Sequence, residues 1–146
     1  MSFASSDSEY DAFLSYRHRE PEAAWVRRTL LPYLEADGLH VIIDYRDFVL
    51  GSPLITEMER GVTHSRYTVA VITPAYLEST FTEFENLLAQ QLGLEEAARR
   101  LIIVMREPCT LSLRLRYLLW LDMSSDADFA ETAARLVNAL RQPPKG

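Results

Sequence analysis

Four short apolar runs, spaced by segments of helical periodicity, constrain this chain more than any other feature. They are Tyr10–Tyr16 (YDAFLSY), Leu39–Asp44 (LHVIID), Tyr67–Thr73 (YTVAVIT) and Leu101–Met105 (LIIVM), and Leu119–Met123 offers a short fifth. Near-continuous apolar runs of this length suit strands covered on both faces, and alternation with helices implies a parallel sheet. The expected fold is α/β: a flavodoxin-like three-layer sandwich with a five-stranded parallel sheet in the order 2-1-3-4-5. In such sheets the ligand crevice opens at the carboxyl ends of the strands, where the order reverses. That rule selects Ser15–Arg19, Asp44 onward and Thr73 onward.

The intervening segments fit. From about Glu22 to Ala36, Trp25, Val26, Thr29, Leu30, Tyr33 and Leu34 recur at helical spacing; Pro32 should kink the last turn, and Asp37-Gly38 should end it. A polar loop, Tyr45–Ser52, leads to Pro53 and a helix over Leu54–His64 with Ile55, Met58 and Val62 inward. Pro74–Gln91 reads as helical with an irregular start around Glu78–Thr80. Asp126 is the expected N-cap of a last amphipathic helix burying Phe129, Ala133, Leu136 and Leu140. One domain over 9–141 is expected, with a disordered N-terminal tail at 1–8 and a tail or linker start at 142–146.

Charge and cysteine content narrow the function. A net charge of −6 argues against nucleic-acid binding, which leans on basic patches. Cys109 is the only cysteine, so no intrachain disulfide can form, and a reducing, cytoplasmic setting is expected. No signal peptide opens the sequence, and no apolar run approaches the ~20 residues that cross a bilayer.

Familiar occupants of this architecture fail at the strand ends. A phospho-receiver needs an acidic pair after the first strand and a lysine late in the domain, but the first strand ends Ser15-Tyr16-Arg17 and Lys145 is the only lysine. Arg17-His18-Arg19-Glu20 is no flavin phosphate loop, and neither GxGxxG nor a Walker A motif occurs. His18, His40, His64 and Cys109 lack metal-ligand spacing, so no metal is expected and the histidines read as incidental. There is no nucleophile elbow.

Three boxes in order carry a resemblance. Tyr10-Asp11-Ala12-Phe13-Leu14-Ser15-Tyr16, then Arg46-Asp47-Phe48-Val49-Leu50-Gly51, then Thr73-Pro74-Ala75-Tyr76 through Ser79, Phe81 and Glu85 resemble the YDxFISY, RDxxPG and SPxYxxSxWCxxE segments of Toll/interleukin-1 receptor (TIR) domains. The likeness covers about residues 9 to 141, with a first helix resembling that of receptor-type members, and a bacterial-type TIR protein is the expectation. Departures are Leu50 for the loop proline, Phe81 for the tryptophan, Thr82 for the cysteine and Asn86 for a leucine, and Leu119-Trp120 only hints at the Phe-Trp box.

The resemblance implies two activities. In catalytic TIR domains a glutamate after the third strand supports cleavage of the nicotinamide–ribose bond of NAD, by hydrolysis or cyclisation; by motif position it is Glu85. A carboxylate suits the oxocarbenium character of that reaction, and the cationic leaving group needs no strong acid. NAD is then a substrate, and no cofactor is implied. Tyr16 and Asp44 are placed to line the pocket, Arg17 to pair with phosphate or with Glu20 or Asp44, and Phe81 to stack on a flat ring or pack in the core. Asp11 reads as structural, and Trp25 and Trp120 as core. The second implication is homotypic TIR–TIR association through Arg46, Asp47, Phe48, Leu50 and Gly51, with a non-catalytic signalling scaffold as the alternative.

Overall fold

In the computed structural model, residues 8–111 and 120–144 of the chain are described. The expected tail at 1–8 (Ser8 apart), Leu119 and Lys145 lie outside the described residues.

The sheet has the expected order, β2-β1-β3-β4-β5, and every pairing is parallel. Its strands are β1 (Tyr10–Ser15), β2 (Val41–Ile42), β3 (Ser65–Ile72), β4 (Leu101–Met105) and β5 (Trp120–Asp122). Side chains alternate across β1. Ala12, Leu14 and Tyr16 enter one core with α1 (residues 22–36) and α7 (Phe129–Arg141), while Phe13 joins Ile42, Val62, Phe84 and Leu88 on the other face. That second face is covered by α3 (Leu54–His64) and α5 (Phe81–Leu92).

Three expectations need correction, and helix α1 has one irregularity: a π turn over Val26–Leu30 just ahead of Pro32, with Leu31 N–H donating to the Val26 carbonyl. Pro32 has no N–H to offer, and the widened turn absorbs the loss. The second strand is only two residues long, because Asp44 opens a helical turn, α2 (Asp44–Asp47), in which the Asp47 carboxylate accepts from Ile43 N–H at 2.9 Å. Asp126 does not cap α7 directly; a 3-10 turn (Asp126–Asp128) intervenes, and the Asp126 carboxylate takes Arg106 at 2.9 Å. Trp120 is not core: it is 41% exposed on the edge strand.

The helix after β3 breaks where its irregular start was expected, into α4 (Pro74–Ser79) and α5, with Thr80 between them. A further helix, α6 (Leu94–Arg100), follows Gly93 (φ 83°), beyond the helical stretch that the spacing predicts. On α3, Val62 is buried as expected, but Ile55 is exposed and the inward face instead carries Glu57 and Gly61.

Gly61 is required by close approach. A Cβ there would lie 3.1–3.3 Å from the ring of Phe13, which is itself buried between α3 and α5. Gly61→Val should therefore cost about 1–3 kcal/mol through overpacking, despite the better helix former. Denaturant midpoints test this, and a variant as stable as the parent would show that the contact is slack.

Candidate functional site

The carboxyl ends of β1 and β2 are joined by side chains. The Tyr16 hydroxyl donates to Asp44 Oδ1 at 2.7 Å and accepts from Arg27 Nε at 2.7 Å. The second Asp44 oxygen takes His18 Nε2 at 2.8 Å, and the imidazole packs on the Tyr16 ring with centroids 4.7 Å apart. The guanidinium of Arg27 also lies 4.4 Å over the Tyr45 ring. Burial, then the adjacent carboxylate, pushes the Tyr16 hydroxyl well above the ordinary tyrosine range, so it remains a donor. Burial opposes the charge on Asp44, but the hydrogen bonds from His18 and Tyr16 outweigh it and hold the carboxyl below its ordinary range.

A second network ties β1 to the segment after β3. Thr73 caps α4 by accepting from Tyr76 N–H, and its hydroxyl donates to Glu22 Oε2 at 2.7 Å. Glu22 is only 4% exposed, and Arg17 lies 3.7 Å from its other oxygen. Tyr76, fully buried, shares a 2.7 Å hydrogen bond with Ser15. Arg17 is thus an ion-pair partner of Glu22, rather than of Glu20 or Asp44.

Beside the Tyr16–Asp44–His18 network lies a crevice of about 490 Å³. Its floor is apolar, with Phe13, Phe48, Ile55, Met58, Phe84 and Leu87, and its polar rim includes Tyr16, His18, Asp44, Thr80 and Glu83. A second lobe of about 470 Å³ carries Arg17, His18 and Arg19. The two lobes share Tyr16, His18, Ser79 and Thr80, which form a waist.

The predicted site residues divide. Tyr16 and Asp44 line the apolar lobe, and Arg17 lines the cationic one. Phe81 lines neither; it is 4% exposed and packs on Tyr76 with ring centroids 5.7 Å apart, so the core reading holds for it. Glu85 is half-buried, has an interaction partner of its own and does not line the apolar lobe, whereas Glu83, two residues earlier and exposed, does. His18, read as incidental, belongs to both lobes. An imidazole at a strand end beside an aspartate was the available signal, but Asp44 comes near only once β2 is paired with β1.

The loop after β2 is held from beneath. Arg46 bonds Glu35, Asp47 and the Val41 carbonyl, and Glu57 accepts from Val49 N–H at 2.8 Å, Ser52 Oγ and Arg60. The Val49 amide, followed by Arg60, holds the Glu57 carboxyl below its ordinary range. Phe48 turns inward onto Phe13 at 6.0 Å, while Leu50 projects with 98% of its surface exposed. Gly51 supplies the positive φ of 89° that the turn needs.

The three boxes therefore sit around one crevice on a sheet of order 2-1-3-4-5, and the TIR domain family matches residues 12–137. The chain belongs to the TIR domain family. Among curated relatives, Toll-like receptor 6 is 30% identical in Mus musculus and 28% identical in Homo sapiens over 100 residues. Each alignment spans 68% of this chain and 12% of the receptor. Among solved structures, the TIR domain of the Toll-related receptor TRR-2 from Hydra magnipapillata superposes with a TM-score of 0.75 at 20% identity, covering 91% of this chain and 99% of that one. A metazoan TIR-STING receptor from C. gigas gives 0.75 at 24% identity, over 96% of this chain and 42% of that one. A prokaryotic SEFIR domain gives 0.72 at 16%, over 91% and 93%. TIR domains mediate homotypic signalling, and some cleave NAD. Among the described residues no helix is long and apolar enough to cross a membrane, and no group of His, Cys, Asp and Glu could hold a metal ion.

The folded Asp44 carboxyl titrates lower than in the unfolded chain, so its contribution to stability is present above the ordinary carboxyl range and is lost as pH falls through the folded value. Asp44→Asn should flatten the acid limb of a stability–pH profile while changing the slope little near neutrality. An unchanged acid limb in denaturant melts would contradict this coupling.

Proposed function

We propose that this TIR domain self-associates and cleaves the nicotinamide–ribose bond of NAD, by hydrolysis or cyclisation, in immune-type or anti-phage signalling of the bacterial kind. The observation that supports it most is the two-lobed crevice. An apolar lobe suits a flat aromatic base, and the adjoining lobe offers two guanidinium groups and an imidazole to phosphate oxygens. A dinucleotide has that division of chemistry, with its ribose at the waist. Tyr16 and Asp44 close the strand-end wall, and Arg17, pinned by Glu22, contributes charge to the phosphate lobe.

The ribose carbon needs a carboxylate as positive charge develops on it. By motif position that group is Glu85; Glu83 is the carboxylate that the apolar lobe itself presents. With protein concentrated or crowded, NAD should give nicotinamide and ADP-ribose, linear or cyclised. The variant lacking the working carboxylate, Glu85→Ala or Glu83→Ala, should lose about 10²-fold or more in turnover, the scale of removing a preorganised charge-stabilising group. Unchanged NAD under all conditions, or full turnover in both variants, would sink the proposal.

One observation favours a scaffold reading beside the enzymatic one. Leu50 and Val49 project from a loop braced beneath by Arg46, Asp47 and Glu57, an exposed apolar tip on a fixed mount. Self-association through this loop predicts that Leu50→Glu shifts the protein toward monomer in sedimentation, with the fold intact. A variant that associates like the parent would remove the loop from the interface.

A further inference from the structure

The crevice contains a histidine whose surroundings suit one task. His18 Nε2 lies 2.8 Å from Asp44 Oδ2. A carboxylate can only accept, so in the neutral ring Nε2 carries the hydrogen and the lone pair is left on Nδ1. Asp44 is itself fixed, because its other oxygen takes the Tyr16 hydroxyl, and that oxygen in turn takes Arg27. The imidazole packs against the Tyr16 ring at a tilt of 54°, with centroids 4.7 Å apart. The ring is thus held by Asp44 at one edge and by the Tyr16 ring beside it, while 52% of the side chain stays exposed at the waist between the lobes. Among the described residues Nδ1 has no hydrogen-bond partner.

We infer that His18 is the proton acceptor of this crevice, and that Asp44 is its positioning residue. The inference rests on the reading that an N-ribosyl bond is broken here. When the C1′–N bond breaks, its electron pair goes to the pyridinium nitrogen and nicotinamide leaves neutral. A hydroxyl nucleophile, water or a sugar hydroxyl, then forms the new C1′–O bond and must shed a proton, which passes to His18 Nδ1. A glutamate that stabilises the cationic ribose must stay ionised throughout, so a separate acceptor divides the labour. The charged groups around the ring are Asp44, then Arg17 and Arg19 in the cationic lobe and Glu83 in the apolar lobe, with Arg27 reached through Tyr16.

The chemistry supplies a discriminating experiment. A free pyridine base attacks C1′ through a nitrogen lone pair and releases no proton, so base exchange on NAD needs no acceptor. His18→Gln should therefore slow hydrolysis by about 10²-fold or more, the usual scale of general-base assistance, while base exchange falls far less. Retained exchange also reports a folded site. Equal losses in the two reactions would overturn the inference. The second measurement does not depend on turnover: nitrogen NMR of the His18 ring at mildly alkaline pH should show a single Nε2–H tautomer in the parent, and a drift toward mixed tautomers in Asp44→Ala, which has no acceptor. An Nδ1–H tautomer in the parent, or one indifferent to Asp44→Ala, would also overturn it. If the parent shows neither hydrolysis nor exchange, the NAD reading fails, and the NMR result alone decides whether Asp44 orients His18.

Discussion

The hydrogen bond from the Tyr16 hydroxyl to Asp44 holds together the part of this domain that matters most. It bridges the carboxyl ends of β1 and β2, and through Arg27 it reaches α1. Without it the sheet could still pair, because the strands are apolar and register is set by burial. The strand ends would splay, however, and His18 would lose the carboxylate that fixes its ring. Removing one partner of such a part-buried bond costs at most about 1–3 kcal/mol, the penalty for a group left fully buried and unsatisfied. The second bridge, from Thr73 through Glu22 to Arg17, does the same for β3 and α1. The second bridge runs across the point where strand order reverses, between β1 and β3, while the first ties β1 to β2 beside it.

The loop after β2 follows a similar logic with a different outcome. Its motif residues, Arg46 and Asp47, spend their hydrogen bonds inward on Glu35, Val41 and Ile43. Glu57, a buried carboxylate on α3, gathers Val49, Ser52 and Arg60. Polar residues therefore brace the loop, and its apolar residues divide between the core (Phe48) and solvent (Leu50). Such a mount keeps Leu50 exposed at little further entropic cost when a partner covers it.

Much of this was legible in the sequence, because apolar runs and strand-end residues are local signals. The sheet order, the break near Thr80, the structural role of Asp11 (which binds the His40 amide and Arg66) and the wall positions of Tyr16 and Asp44 were all readable that way. What escaped depends on long-range geometry. Whether Glu83 or Glu85 faces the crevice turns on helix phase after the irregularity at Thr80, which motif spacing does not determine. No local signal marks Glu22 or Glu57 for burial, which follows from partners contributed by other elements. His18 became more than incidental only when a residue 26 positions later, Asp44, was brought beside it.

Whether the two-lobed crevice at the strand ends receives an NAD-type dinucleotide is decided by a backbone NMR titration of the isotopically labelled domain with an NAD analogue whose carbocyclic ribose cannot be cleaved. Binding there should confine the shifts to the crevice walls, at Tyr16 to Arg19, around Asp44, and from Ser79 to Glu83. No shifts at millimolar analogue, or shifts centred elsewhere on the domain, would contradict it.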